Sequence, residues 1–180
     1  MDRRRDALLG AAAMIVAVAD AARVMGPPAV ATVGTIAVEP AQVNVVPGLA
    51  RFTVDARHSD PAARADLVSE LVNACKVIGR ERGLEVEVRT LRDRAPVKLD
   101  PRIADVLRRA CLAAGVEPRD MTSGAGHDAQ VLAAAAHTGM IFVPSIAGRS
   151  HCPDEATEAE DVVLGARALA TALRELAFQS

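Results

Sequence analysis

The sequence has no tryptophan and no tyrosine, and three phenylalanines bring the aromatic share of its 180 residues to only 2%. Aromatic platforms on which nucleobases or sugar rings stack are therefore nearly absent. The formal net charge of −2 provides no basic excess for binding nucleic acid. With 51% hydrophobic residues, the chain can bury one sizeable core or two small ones. These limits favour a globular protein whose partner is a small polar molecule.

Cysteine is scarce. Cys75, Cys111 and Cys152 lack CxxC spacing, and an odd number of cysteines fits a disulfide framework poorly. A reducing cytoplasm is the simpler interpretation.

One apolar run, from residue 7 to residue 19, follows three arginines at 3–5. This layout is also that of a secretory signal peptide, which stays open as an alternative. The run is shorter than the roughly 20 residues that a membrane span needs. The helical spacing of Leu8, Ala12 and Ile15, with Asp6 ahead of them, favours the first helix of a globular protein. No membrane partner is expected.

The first part of the chain has the order helix, strand, strand, helix, strand. Helical patterns cover about 6–24 and 60–83, and strand patterns cover 33–38, 51–57 and 84–89. In the second strand Phe52, Val54 and Ala56 alternate with polar residues, which predicts one apolar face. We therefore expect an α+β unit over residues 1–95, a small antiparallel sheet with two helices on one face.

The pattern changes after the proline-bearing connection that ends at Pro96. Asp100-Pro101 predicts a helix start. Met140–Val143 predicts a strand that is buried on both faces. The capping box Thr157–Glu160 predicts the start of the last helix. A single strand with three helices cannot close a core alone. Residues 96–180 are expected to form an incomplete α/β portion that docks on polypeptide outside this chain.

Two loops carry chemically active side chains, SGAGHDA at 123–129 and GRSHCPDE at 148–155. Each places a histidine beside a helix start or strand end, where a rigid scaffold commonly presents functional groups. A catalytic pair of Cys152 with His151 is disfavoured, because adjacent residues of an extended segment point apart. His58 and Asp60 have the spacing of metal ligands, but the following proline makes Asp60 a better helix cap.

The order SGAGHDA, MIFVPS, GxSHxPxE resembles the signature of the carbamoylase and allantoate amidohydrolase branch of the metallo-aminoacylase (M20 peptidase-like) family. MDRRRDAL, VNVVPG and FTVDAR are similar to parts of that family's lid. The resemblance covers nearly the whole chain. It implies a lid or dimerisation domain over 1–95, the C-terminal portion of a metal-binding catalytic domain over 96–180, a homodimer through the lid, and a missing N-terminal half.

The resemblance also implies roles for single residues. His151 is similar to the C-terminal ligand of a two-metal site that holds zinc, manganese, nickel or cobalt, and Glu155 is a carboxylate that orders its loop. His127 is similar to a catalytic residue close to the substrate, which Gly124 and Gly126 allow to approach. The alternatives are a surface histidine for His151, a helix-capping acid for Glu155, and a helix-start histidine bonded to backbone for His127.

Asn44 and Arg57 match lid residues that, by the resemblance, bind the substrate carboxylate, in a neighbouring subunit's site if the dimer forms through the lid. The guanidinium of Arg57 can bind a carboxylate through two parallel hydrogen bonds. The alternative is an ion pair between Arg57 and Asp55 or Asp60.

The reaction that the resemblance implies is metal-assisted hydrolysis of a non-peptide carbon–nitrogen bond in a carbamoyl or ureido group, with a carboxylate as general base. N-carbamoyl amino acids, allantoate and ureidoglycolate all stay open as substrates. The chain offers one convincing metal ligand and no adjacent Glu-Glu pair, so we expect it to be inactive alone. A non-catalytic dimerisation or carboxylate-binding module derived from the lid is the alternative.

Overall fold

A computed structural model describes residues 4–178. The chain separates into two compact units, Met1–Pro96 and Val97–Ser180. The first unit contains helix α1 (Ala7–Met25), strands β1 (Val30–Glu39) and β2 (Leu49–Arg57), and helix α2 (Pro61–Glu81). The second contains helices α3 (Pro101–Ala113), α4 (Asp128–Leu132) and α5 (Ala159–Phe178), with a 3-10 turn at Ile146–Gly148 between the last two.

Strands β1 and β2 form an antiparallel hairpin, which confirms the expected small antiparallel sheet. Val33 lies opposite Val54 and Ile36 opposite Phe52, so these apolar side chains share one face. The register shifts between Val33 and Thr35, and the extra residue there keeps Val33 and Ile36 on the same side of the sheet.

Helices α1 and α2 pack together and on the hairpin through Val18, Leu67 and Leu71, which are 1%, 0% and 6% exposed. Small partly buried residues surround this cluster, namely Ala21, Ala29, Ala31, Val33 and Ala56. Short side chains at these positions bring helix and sheet close together, so a few large residues fill the space between them.

Aspartates start both helices of the first unit. Asp6 accepts a hydrogen bond from the Leu9 N–H at 3.0 Å, and Asp60 accepts one from the Ala63 N–H at 2.8 Å. Each carboxylate satisfies an amide that the first helical turn leaves unpaired. The prediction that Asp60 caps a helix is thereby confirmed.

Helix α1 is long and apolar enough to cross a membrane by length and composition. The apolar run of the sequence is too short for a span, but the helix continues beyond it to Met25. Its buried side faces the rest of the unit and consists of Gly10, Ala11, Met14, Val18 and Ala22. Core helices and signal sequences pass the same test, so length and composition alone do not assign α1 to a membrane.

The predicted strand Leu84–Arg89 is wrong as a member of the sheet, which has two strands within residues 4–178. The segment lies against the helices instead. A methyl group placed on Gly10 would be 2.2 Å from Leu84 Cδ1, and one on Gly79 would be 2.4 Å from Val86 Cγ2. The two glycines therefore let the segment approach α1 and α2 closely.

In the second unit α3 packs against α5 through Val106, Ala110 and Ala172, with Leu107 partly buried beside them. Asp100 caps α3 by accepting the Arg102 N–H at 2.8 Å. Helix α5 begins at Ala159. The capping box predicts a start directly after Thr157, one residue before the observed start.

The predicted buried strand Met140–Val143 belongs to no sheet within the described residues. A methyl group on Gly139 would be 2.4 Å from Ile103 Cγ2 of α3, and one on Gly165 of α5 would be 2.5 Å from Val143 Cγ1. The segment thus contacts both helices. Phe142 and Val143 are 44% and 39% exposed, so the expected burial on both faces is wrong for this chain.

Candidate functional site

The glycine-bearing turn before α4 holds His127 in a defined orientation. The Ser123 hydroxyl lies 2.8 Å from His127 Nε2 and accepts the Ala125 N–H at 3.1 Å. Phe142 meets the imidazole edge-on, with ring centroids 5.7 Å apart and planes at 66°. His127 precedes the first residue of α4 without capping it through its side chain. The ring nitrogen therefore bonds to a hydroxyl, not to backbone as in the alternative.

Ser123 and Phe142 belong to the motifs SGAGHDA and MIFVPS, but the sequence alone assigns them no role. Ser123 lies four residues before His127, which is a helical spacing, but it lies in a loop and not in a helix. Phe142 lies on a separate segment, so no periodic pattern connects it with His127. A serine next to glycines ahead of a histidine was the available signal, and it has low specificity.

Gly124 and Gly126 border open space. A methyl group on either would meet nothing within 4 Å, and neither has the positive φ that favours glycine. Packing within the described residues therefore does not explain these two glycines. Close approach by a ligand to this turn stays the prediction.

The loop around His151 has an unusual backbone. His151 has a φ of 56° and Ala147 a φ of 55°, which side chains with a Cβ rarely adopt. The Glu155 carboxylate accepts the His151 N–H at 2.7 Å, and the Ala156 carbonyl accepts the Ile146 N–H at 2.8 Å. Glu155 thus orders the loop through its backbone and leaves the exposed imidazole accessible. Strained residues held in this way cluster at functional sites.

A divalent metal needs several such donors. No three His, Cys, Asp or Glu side chains among residues 4–178 lie together as a metal site. A lone exposed imidazole on an ordered loop fits one ligand of a shared site and cannot form the whole of it. The Ser123–His127 pair and the His151–Glu155 pair share no hydrogen bond or ring contact within the described part of the chain.

The two lid candidates lie at different ends of β2. Asn44 is exposed in the turn that precedes β2, and Arg57 is the last residue of that strand. Arg57 donates to both carboxylate oxygens of Asp55, at 2.6 and 2.8 Å. This hydrogen-bonded pair lowers the pKa of Asp55 and raises that of Arg57, with burial opposing both shifts. The ion pair left open as the alternative is formed, so a substrate carboxylate would have to compete with Asp55.

An ion-pair cluster that sequence reasoning missed lies at the start of α3. The Asp100 side chain, 11% exposed, contacts Arg102 at 2.9 Å and His137 at 2.5 Å. The Arg102 guanidinium and backbone N–H hold the pKa of Asp100 well below its usual range. His137 comes 35 residues after Arg102, a separation that no local pattern bridges. The cluster fastens the start of α3.

The described residues combine a small antiparallel sheet with helices, and His127 and His151 lie in two ordered loops of the second unit. The chain belongs to peptidase family M20/M25/M40, whose sequence profile matches residues 5–175.

The chain is similar to several amidohydrolases. The allantoate amidohydrolase of Escherichia coli K12 is 37% identical over 99% of this chain and 44% of its own length. The N-carbamoyl-L-amino-acid amidohydrolase of Paenarthrobacter aurescens is 35% identical over 98% of this chain and 43% of its own length. An amidase of the hydantoinase/carbamoylase family from Burkholderia vietnamiensis superposes with a TM-score of 0.91 at 38% identity, covering 97% of this chain and 42% of that one. The chain thus spans less than half the length of these proteins.

Proposed function

We propose that this chain is the C-terminal portion of a metal-dependent amidohydrolase that cleaves a non-peptide carbon–nitrogen bond in a carbamoyl or ureido substrate. The observation that carries the proposal is the 37% identity to an allantoate amidohydrolase along nearly the entire chain. The ordered His151 loop supports it, because that loop presents one accessible donor for a shared metal site. Alone, the chain is inactive for want of further ligands.

His151 is the proposed metal ligand, and Glu155 keeps its loop in place. Two divalent ions, zinc, manganese, nickel or cobalt, would polarise the scissile carbonyl and activate water when bound. The neutral imidazole of His151 would supply its lone pair to one of these ions.

His127 is the proposed catalytic residue beside the substrate. Ser123 and Phe142 fix the plane of its ring, which limits the cost of ordering it when substrate binds. Gly124 and Gly126 offer backbone without side chains at the same turn. Asn44 and Arg57 would bind the substrate carboxylate, with Arg57 exchanging Asp55 for the ligand.

Residues 1–95 are the proposed lid, through which two copies form a homodimer. Residues 96–180 belong to the catalytic domain, completed by an N-terminal half that carries the other ligands. A cytoplasmic location fits the relatives, which are named for metabolic hydrolysis.

The test supplies, as a separate polypeptide, the portion of the E. coli allantoate amidohydrolase that this chain does not match. Metal content and hydrolysis of N-carbamoyl amino acids, allantoate and ureidoglycolate are measured for the chain alone and co-expressed. We expect neither metal nor hydrolysis from the chain alone and both from the pair. His151→Ala should remove bound metal and activity, whereas the matched control His58→Ala should retain them.

Full metal content and activity in the His151→Ala complex would overturn the assignment. Stable association with no metal and no hydrolysis would instead support the non-catalytic module.

A further inference from the structure

Three polar groups surround the Ser123 hydroxyl, which has a single hydrogen to donate. The Ala125 N–H donates to Ser123 Oγ at 3.1 Å, the Ala125 carbonyl oxygen lies 3.2 Å from Oγ, and His127 Nε2 lies 2.8 Å from it. Because a backbone N–H can only donate, Oγ accepts from Ala125 and gives its own hydrogen to one of the other two groups. The direction of that hydrogen decides which nitrogen of His127 carries a proton.

Distance and access to solvent both favour His127 as the acceptor. The Nε2 atom is nearer to Ser123 Oγ than the Ala125 carbonyl is, at 2.8 Å against 3.2 Å. Ala125 is exposed, so water can satisfy its carbonyl, whereas Ser123 and His127 are half-buried. Leaving a half-buried acceptor without a donor costs more free energy than leaving an exposed one. The hydroxyl therefore donates to Nε2, and the neutral imidazole keeps its proton on Nδ1.

The other nitrogen of the ring is the open one. His127 Nδ1 makes no hydrogen bond to residues 4–178. Gly126, directly before His127, borders open space, since a methyl group there would meet nothing within 4 Å. The edge-on contact with Phe142 holds the plane of the ring. An N–H that is fixed in direction and still has no acceptor is a preorganised hydrogen-bond donor.

His58 has the opposite arrangement in the same chain. Its Nδ1 accepts the Asp60 N–H at 2.9 Å. A neutral ring that accepts at Nδ1 carries its proton on Nε2. His58 is therefore an internal reference for the second tautomer, the form in which the proton is on Nε2.

We propose that Ser123 is a positioning residue that holds neutral His127 as the Nδ1–H tautomer, so that the ring meets the substrate as a hydrogen-bond donor and not as a base. The acceptor is a substrate oxygen on which negative charge develops during hydrolysis, because a fixed N–H stabilises such charge. This role in hydrolysis rests on the proposed function. The tautomer does not, because it is a property of the chain alone.

The first test measures the tautomers of the four histidines in the full chain. Long-range 1H–15N NMR correlations are recorded at about pH 8.5, where a free imidazole is neutral. The signals of His127 are assigned by their absence in His127→Asn. We expect the proton on Nδ1 in His127 and on Nε2 in His58. A proton on Nε2 of His127, or a mixture of the two forms, overturns the proposal.

Two substitutions of Ser123 separate the direction of the hydrogen bond from the shape of the turn. Ser123→Thr keeps the hydroxyl and should keep the proton of His127 on Nδ1. Ser123→Asp still accepts the Ala125 N–H, but an ionised carboxylate cannot donate, so the proton should move to Nε2. Thr122→Ala, at an exposed neighbour with no side-chain partner within residues 4–178, is the matched control and should change neither tautomer.

The same variants are then compared in the complex with the co-expressed E. coli portion. Ser123→Asp should lower kcat roughly a hundredfold with little change in KM, because the ring no longer donates where charge develops. Ser123→Thr and Thr122→Ala should leave kcat nearly unchanged. Equal kcat in Ser123→Thr and Ser123→Asp, despite opposite tautomers, overturns the role as donor. Absence of hydrolysis in the unmodified complex contradicts the proposed function instead, and the NMR result still decides the tautomer.

Discussion

The two units differ in how much of a core each one contains. In the first, a paired hairpin gives the helices a surface on which Val18 and Leu67 are buried almost completely. In the second, α3 and α5 bury Ala110 and Ala172 against each other, while Leu173 on α5 stays 58% exposed. Alanine contributes little apolar area, so the second core is weaker. Helices form wherever local sequence supports them, whereas a sheet needs strands from distant parts of the chain.

Among the variants that test this difference, Leu67→Ala in the first unit should have the largest effect on stability. Leu67 is fully buried, and removing three carbons from a filled core typically costs about 2–5 kcal/mol, including the cavity. Urea unfolding followed by residue-resolved hydrogen exchange should show loss of protection in β1, β2 and α2. Val24→Ala, at a position 88% exposed, is the control and should change little. Equal losses for the two variants would contradict the assigned core.

Ala172→Leu tests the second unit by enlarging a buried side chain instead of shortening one. Ala172 is 1% exposed between α5 and α3, and forcing a larger side chain into such a contact costs about 1–3 kcal/mol. Ala170→Leu places the same side chain on the exposed side of α5 and should be nearly neutral. If Ala172→Leu stabilised the unit, the α3–α5 contact would be loosely packed, and the comparison of the two cores would have to change.

Sequence predicted those features that depend on neighbours along the chain. The caps at Asp60 and Asp100 follow from an aspartate directly before a proline, so both helices start where expected. The prediction of a strand at Leu84–Arg89 was wrong because alternating apolar and polar residues show only that a segment can pair. Pairing also needs another strand beside that segment. The positive φ of His151 carries only a weak sequence signal, since histidine is enriched in that conformation but still adopts it far less often than glycine.

A smaller expected effect on stability comes from backbone strain, in which the two units differ. Within residues 4–178 both non-glycine residues with positive φ, Ala147 and His151, lie in the second unit. His151→Gly should stabilise that unit by up to about 1 kcal/mol, because glycine adopts this conformation freely. Ser150→Gly, at a position without positive φ, should be neutral or destabilising. Thermal unfolding compares the two; a loss of stability in His151→Gly would show that the ring itself supports the loop.

Acid titration gives the smallest expected effect and compares one carboxylate in each unit. Hydrogen bonds from Arg57 lower the pKa of Asp55, and those from Arg102 lower that of Asp100 further. Unfolded carboxyls titrate near pH 3.9, so both contributions are complete above that pH and disappear as the pH falls through the lower folded pKa. Asp55→Asn and Asp100→Asn should each flatten the decline of unfolding free energy below about pH 4, with asparagine still able to cap α3.

Asp66→Asn, on an exposed residue with no side-chain partner within residues 4–178, should leave the decline intact. Because the pKa of Asp100 is lowered more, the second unit should change more than the first, and the reverse order in unit-resolved exchange would show that the Arg102 contacts do not persist in solution.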